Sequence, residues 1–250
     1  MSTRRRMAAS IGLVCIAIAA ALAVMPARWL LRVLPDRGLV ALVDADGSIW
    51  QGRAQLAFGP PGNRRSLPAR AAWSWRWAGG PAVSIVHPWL ESPLLLRLSG
   101  RDVVLPANML RLPADTLSAL GAPFNTLQPT GELMLRWPAQ RLSGGVPQGE
   151  LLTLQWDDAA AALSRIRPLG SYRARLTGDG RGMDLGIDTL SGVFQVQGTG
   201  RWERGALQFS GAAQAAATAT SSQREALQGL LSALGRRDGD RALLDIRSLR

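Results

Sequence analysis

Runs of alternating apolar and polar residues, separated by glycines, constrain the fold of this chain more than any other feature. Residues 189–215, TLSGVFQVQGTGRWERGALQFSGAAQA, contain two such runs, which begin at Val193 and Ala206. Alternation with a period of two sends successive side chains to opposite faces of a strand. We therefore predict an antiparallel hairpin in this segment, because its glycines and alternation are typical of a sheet.

The expected turn of this hairpin is Arg201–Gly205, which lies between Gly200 and the second run. At least one of Gly200 and Gly205 is expected to need a positive backbone angle, which glycine adopts freely. We expect Arg201 and Arg204 to be solvated, so that replacing either by glutamine changes stability little. A phosphate or lipid-headgroup site at these arginines is the alternative interpretation.

Further alternating runs predict a mainly β fold, and the 27 glycines and 15 prolines are typical of a chain with many turns. The runs are Leu39–Val43, Ala54–Phe58, Ala69–Trp77, Ala82–Val86, Leu94–Leu98 and Asp102–Leu105. In the third run, Trp73, Trp75 and Trp77 share one face, while Ser74 and Arg76 share the other. We interpret the three tryptophans as the core face of a half-buried sheet. A stacking platform for sugars or bases is the alternative.

Two units resemble each other, PTGELMLRW at Pro129–Trp137 and PQGELLTLQW at Pro147–Trp156. Each has Pro-x-Gly-Glu-Leu followed by alternating apolar residues and a tryptophan. This similarity suggests equivalent neighbouring strands, although two copies do not establish a repeat protein. Residues 158–170, DAAAALSRIRPLG, are expected to form a short helix or turn.

Two segments have helical spacing. In Leu105–Gly121 we expect a helix whose second half is capped by Asp115 and which ends at Gly121. Near the C terminus, Ser222–Glu225 has the pattern of a capping box, and Gly235 is the expected end of that helix. Its apolar stripe consists of Leu227, Leu230, Leu231 and Leu234.

The N terminus has the pattern of a membrane anchor. Arg4–Arg6 precede Met7–Met25, a run without a charged residue that is just long enough to span the hydrocarbon core as a helix. Because positive flanks stay in the cytoplasm, residues 1–6 are expected to be a cytoplasmic basic tail. Residues 7–25 are then a transmembrane anchor, and residues 26–250 a periplasmic β-rich domain. A signal peptide cleaved after Ala23 is the alternative, and N-terminal sequencing distinguishes the two.

The charge and the single cysteine narrow the class of protein further. All 29 basic residues are arginine, and the formal net charge is +11. These arginines are scattered and form no aromatic-rich basic cluster, so we expect no nucleic-acid partner; an anionic membrane surface suits a diffuse positive charge better. Cys15 lies within the apolar N-terminal run, so the exported part has no disulfide.

Candidate catalytic residues are few. His87 is the only histidine and is interpreted as a packed or surface residue. Asp157 and Asp158 are adjacent, so in a strand they point to opposite faces, and we expect them to cap the segment after Trp156. The GDGRG sequence at Gly178–Gly182 is followed by an alternating run rather than a helix and is interpreted as a hairpin turn. We therefore predict no enzyme, and no catalytic, cofactor-binding or metal-binding residues.

The order of these segments resembles type II secretion system protein N, the general secretion pathway N subunit of Gram-negative bacteria. The resemblance rests on the anchor, on GSIWQG at Gly47–Gly52, on the two Gly-Glu-Leu units, on residues 189–215 and on the final LQGLLSALGRRDGDRALL. It implies a non-catalytic accessory component, anchored in the inner membrane, that assists export of folded proteins across the outer membrane. The implied partners are other subunits of that system and the inner membrane.

The glycine-punctuated hairpins are also similar to those of the AsmA-like group, whose long curved sheets are associated with lipid handling. This similarity implies a curved antiparallel sheet with a few short helices, and a periplasmic lipid-binding or lipid-transfer protein as the alternative function. A continuous apolar gutter is expected to favour lipid contact, and a filled core to favour a scaffold. The residues expected to form such a gutter are Trp73, Trp75, Leu94, Leu96, Leu133 and Leu135.

Overall fold

The protein folds into two antiparallel sheets, as shown by a computed structural model that describes residues 13, 16–18, 20–33, 38–122 and 124–247. The first sheet has seven strands and the second has nine. The prediction of a mainly β, antiparallel fold with few short helices is therefore confirmed. Nine of the nineteen residues of the expected anchor Met7–Met25 lie outside the described residues. Among those that are described, no helix is both long and apolar enough to cross a membrane.

The seven-stranded sheet is a meander of consecutive hairpins, with one late strand added at its edge. Its order is β1-β2-β3-β4-β5-β6-β9, and all its pairs are antiparallel. The strands are β1 (Val40–Gly47), β2 (Gln51–Phe58), β3 (Arg65–Trp77), β4 (Pro81–Val86), β5 (Leu94–Ser99), β6 (Asp102–Leu105) and β9 (Gln140–Leu142).

The nine-stranded sheet contains the remaining strands in the order β15-β16-β14-β13-β12-β11-β10-β8-β7. The strands are β7 (Asn108–Pro113), β8 (Thr130–Trp137), β10 (Gln148–Ala160), β11 (Gly170–Asp179), β12 (Met183–Gly192), β13 (Phe194–Glu203), β14 (Ala206–Ala215), β15 (Arg236–Asp238) and β16 (Arg241–Arg247). The two Gly-Glu-Leu units lie in β8 and β10, which pair with each other antiparallel. They are neighbours, as expected, but they run in opposite directions.

One loop of the seven-stranded sheet is hydrogen-bonded to the edge of the nine-stranded sheet. The loop between β4 and β5 lies along the outer side of β7, where the Glu91 backbone N–H donates to the Met109 carbonyl at 2.9 Å. The Arg111 N–H donates to the Trp89 carbonyl at 2.8 Å. These bonds pair backbone groups of an edge strand that are otherwise available to another chain.

Helical segments are short except near the C terminus. They are the 3₁₀ helices Ala27–Trp29 and Ala114–Leu120, and the α-helices α1 (Leu30–Val33), α2 (Phe124–Leu127) and α3 (Ser221–Leu234). The expected helix over Leu105–Gly121 is wrong in its first half, which is strand β7. Asp115 lies in the first turn of a 3₁₀ helix that has no side-chain cap, and Gly121 follows its last residue, as expected.

Helix α3 confirms the predicted C-terminal helix, but it begins earlier than the sequence pattern indicated. Its capping box is formed by Thr220 and Gln223, rather than by Ser222 and Glu225. The Thr220 side chain accepts a bond from the Gln223 N–H, and the Gln223 side chain accepts one from the Thr220 N–H. Both pairs fit the capping-box pattern, and in the structure the helix begins at the earlier pair.

Strand β10 continues farther than expected. Asp157 and Asp158 do not cap the segment after Trp156, because the strand continues to Ala160 through a β-bulge between Trp156 and Ala159. Asp157 accepts bonds from the Gln155 side-chain amide. Residues 161–169 then form a loop without a helix.

The hairpin of residues 189–215 has a tighter turn than predicted. Arg201 lies in β13, and the turn consists only of Arg204 and Gly205, whose φ angles are 52° and 83°. Gly205 therefore has the expected positive angle, whereas Gly200 lies within the strand and does not. Its role is close packing against an aromatic ring.

Three strand glycines make room for one aromatic ring. Phe209 is 7% exposed, and a Cβ added at Gly198 would lie 2.5 Å from its Cζ. Cβ atoms at Gly200 and Gly211 would lie 3.0 Å and 3.1 Å from other atoms of the same ring. The ring thus covers the backbone of both strands of the hairpin.

We predict that Gly198→Ala destabilises the protein by about 1–3 kcal/mol, because the Phe209 ring has to move. The control is Gly186→Ala in neighbouring strand β12, where an added Cβ meets no atom within 4 Å. We expect this control to change stability by about 0.5 kcal/mol or less. Thermal and denaturant unfolding of the two purified variants measure the difference, and equal stabilities contradict the packing role.

Candidate functional site: an apolar groove

An apolar groove of about 400 Å³ lies on one face of the nine-stranded sheet. Its floor comes from β10, β11, β12 and β13, and its two walls come from helix α3 and from the short helices Ala114–Leu120 and Phe124–Leu127. The floor residues are Leu154, Trp156, Tyr172, Ala174, Ile187 and Val196. One wall contributes Leu117, Leu120, Phe124 and Leu127, and the other Leu230 and Leu234.

The register of the strands explains the depth of the groove. Leu154 pairs with Ala174, and Ala174 pairs with Ile187, so these three side chains lie side by side on one face. The small side chain of Ala174 therefore leaves space between two larger neighbours on the floor of the groove.

The polar atoms of the floor are already hydrogen-bonded within the protein. The Tyr172 hydroxyl donates to the Phe194 carbonyl at 2.9 Å, and burial raises the pKa of this hydroxyl. The Trp156 indole N–H donates to the Thr130 carbonyl at 3.0 Å, and its ring centroid lies 6.0 Å from that of Tyr172. The floor therefore offers hydrocarbon surface and suits an occupant without hydrogen-bonding groups.

The wall formed by helix α3 is held by a well-packed core. Leu227, Leu230 and Leu231 are at most 2% exposed and pack against Ala213 and Ala242, which are fully buried. Small residues in the sheet let the helix approach closely. This wall is anchored in the core over its middle turns.

The six residues that were predicted to form one apolar gutter do not share a surface, so that prediction is wrong. Trp73 and Trp75 lie in the seven-stranded sheet, as do Leu94 and Leu96, whereas Leu133 and Leu135 lie in the nine-stranded sheet. Of the six, only Leu133 lines the groove, and it is 1% exposed. Alternation in β10 to β13 indicated most of the floor, but nothing in the sequence indicated that the short helices Ala114–Leu120 and Phe124–Leu127 form a wall.

His87 is packed, in agreement with its first interpretation. It is 6% exposed, its Nδ1 accepts the Trp89 backbone N–H at 3.2 Å, and its ring stacks edge-on against Trp89 at 5.1 Å. Burial lowers its pKa, and the Ala69 carbonyl opposes that shift only partly. The packed ring thus helps to shape the loop that covers β7.

A charged cluster occupies the opposite, outer face of the nine-stranded sheet. Arg201 bonds to Asp179 at 2.7 Å, to Asp184 at 2.8 Å and to Glu203 at 3.3 Å. The bond from Arg201 is the largest cause of the lowered pKa of Asp179, and the backbone N–H groups of the GDGRG turn add to it. That sequence is a hairpin turn, as predicted.

The expectation that Arg201 is solvated holds only in part, because its side chain is 40% exposed but bonds to three carboxylates. Arg204 is solvated as expected, with its side chain 82% exposed and its Nε 3.8 Å from the Glu203 carboxylate. Three carboxylates against two guanidinium groups leave an excess of negative charge, which does not suit a phosphate.

We predict that Arg201→Gln lowers the melting temperature, because three carboxylates are left close together without their cation. Arg204→Gln is the matched control in the same hairpin and leaves the melting temperature unchanged. Melting curves at low and high salt test this, since salt screens the repulsion and reduces the loss in the first variant. A loss that is equal in both variants contradicts this assignment.

Two antiparallel sheets, with an apolar groove on the larger one, define the class of this chain as a mainly β protein. Residues 38–244 match the family described as type II secretion system (T2SS), protein N, and the chain belongs to that family. The resemblance inferred from the order of its segments is thus confirmed. No curated protein and no solved structure gave a significant match.

Proposed function

We propose that the protein is a non-catalytic accessory component of the type II secretion system. In this proposal, Met7–Met25 anchors it in the inner membrane, and residues 26–250 lie in the periplasm and assist export of folded proteins across the outer membrane. Family membership is the observation that carries the role in type II secretion. Arg4–Arg6 beside an uncharged run support the orientation.

Contacts of the N-terminal segment favour a retained anchor over a cleaved signal peptide. The Trp50 indole N–H donates to the Leu22 carbonyl at 2.8 Å, and the Ile49 N–H donates to the Met25 carbonyl at 3.0 Å. Cleavage after Ala23 would remove the first of these contacts.

A partner subunit is proposed to bind at the β1 edge of the seven-stranded sheet. Strand β1 is one of the two edge strands, and Val40 and Val43 within it and Leu39 just before it are each more than half exposed. An edge strand can pair with a strand of another chain, while the exposed apolar side chains add contact area. Crosslinking in intact cells from a photoreactive residue at Val43 identifies the partner.

We predict that deleting the gene lowers type II secretion, and that the wild-type chain restores it. A reporter active only in the periplasm, fused after Arg250, is expected to be active. Secretion that is unchanged by the deletion contradicts the secretion role. A fusion active only in the cytoplasm contradicts the topology alone.

Lipid binding is the second candidate function, and the groove is the observation that favours it. A volume of about 400 Å³ falls within the range of about 300–1,000 Å³ that is usual for small-molecule sites. A peptide would leave backbone N–H and C=O groups unpaired on this surface. An acyl chain has no such groups, and it gains about 0.8 kcal/mol for each methylene that it buries.

We predict that Ala174→Phe blocks the groove and weakens binding of a fluorescent fatty acid at least tenfold. The control is Thr177→Phe on the same strand, which faces the outer surface and leaves binding unchanged. Titration of the probe into the purified full chain measures both variants, and melting curves check that both are folded. Wild-type protein that does not bind the probe, or equal binding by the two variants, contradicts the lipid function.

A further inference from the structure

One end of the seven-stranded sheet carries several exposed tryptophans next to the N-terminal segment. The β1–β2, β3–β4 and β5–β6 turns all lie at this end, because consecutive strands pair antiparallel. Trp50 is 41% exposed, Trp75 38% and Trp77 81%, and Leu98 beside them is 39% exposed. We call these four residues, together with Arg76 and Arg101, the tryptophan end.

The tryptophan end is bonded to the N-terminal segment through the loop of residues 48–50. Residues 20–23 are helical, and the Leu22 and Met25 carbonyls accept bonds from the Trp50 indole and from the Ile49 N–H. Carbonyls at the end of a helix have no partner within it, so these bonds cap that end. The sheet is thereby held close to the last turn of the apolar segment.

The same loop is held from the side of the sheet. The indole N–H groups of Trp73 and Trp75 both donate to the Ile49 carbonyl, at 3.1 Å and 3.2 Å. Trp50 and Trp75 also meet edge to face, with ring centroids 5.7 Å apart. The loop therefore joins the N-terminal segment to the sheet on both sides, which fixes the orientation of the sheet relative to that segment.

The tryptophan end carries two exposed arginines, whereas the carboxylates of Asp46 and Asp102 at the same end are paired with Arg70 and Arg141. Arg76 and Arg101 are exposed, and none of the ion pairs in the described part of the chain involves them. Arg28 and Arg32 follow in the N-terminal segment, and the Arg32 guanidinium lies 5.4 Å from the centre of the Trp29 ring. Tryptophan rings prefer the boundary between lipid and water, and arginines there attract anionic headgroups.

We propose that the tryptophan end lies in the headgroup layer of the periplasmic leaflet and binds anionic lipid. This proposal rests on the proposed inner-membrane anchor, and it adds a second contact between the protein and the bilayer. Whatever covers the exposed rings has to lie next to the point where the apolar segment ends. A bilayer fulfils that condition, and it also supplies the negative charge that the arginines require.

The test uses the full chain in vesicles of phosphatidylethanolamine and phosphatidylglycerol. The single native cysteine is replaced by Cys15→Ser, and a polarity-sensitive fluorophore is attached through Trp77→Cys. The control position is Leu163→Cys, also an exposed apolar residue, in the loop between β10 and β11 of the nine-stranded sheet. We expect spin-labelled lipid to quench the fluorophore at position 77 several-fold, with little effect at position 163.

Adding Arg76→Glu and Arg101→Glu is expected to reduce the quenching at position 77. Vesicles of phosphatidylcholine alone are expected to do the same, because both changes remove the charge attraction. Protein that floats with vesicles while positions 77 and 163 behave alike overturns the proposal and leaves the anchor standing. Protein that does not float overturns both the anchor and the proposal. Self-quenching at position 77 that replaces lipid quenching identifies a second copy as the occupant and also overturns the proposal.

Discussion

The packing of helix α3 on the nine-stranded sheet is the interaction on which the rest of the larger half depends. Leu227, Leu230 and Leu231 are among the largest fully buried side chains of the described residues, and each contributes about 1.5–3 kcal/mol. The helix can approach because Ala213 and Ala242 present only methyl groups. Without this contact, the sheet would lose its core and the groove one of its walls.

Local features of the sequence predicted local structure well. Alternation identified most strands, and the leucine stripe identified helix α3. The start of the helix was misplaced, because Thr220–Gln223 and Ser222–Glu225 both satisfy the capping rule. Strand β7 was mistaken for a helix, because its assignment depends on pairing with β8, whose partner residues lie 19 to 29 positions later in the chain. Only the folded structure reveals that pairing.

The groove was harder to predict than its parts, for a physical reason. Its floor residues alternate in the sequence, so their common face could be inferred. Its walls come from the short helices Ala114–Leu120 and Phe124–Leu127 and from α3, which are far apart in the chain and meet only across the sheet. Trp73 and Leu133 were assigned to one surface because alternation defines a face but does not define which sheet a strand joins.

The two sheets are not independent, because one wall of the groove rests on the smaller sheet. The 3₁₀ helix Ala114–Leu120 packs so closely that a Cβ at Gly59 would lie 2.6 Å from the Ala119 carbonyl oxygen. Gly59 follows strand β2, whose other end adjoins the loop bonded to the N-terminal segment. The position of that wall relative to the floor therefore depends on how the smaller sheet is held. If the tryptophan end binds the bilayer, the contact that orients the smaller sheet also positions this wall. The width of the groove then depends both on the smaller sheet and on its contact with the bilayer.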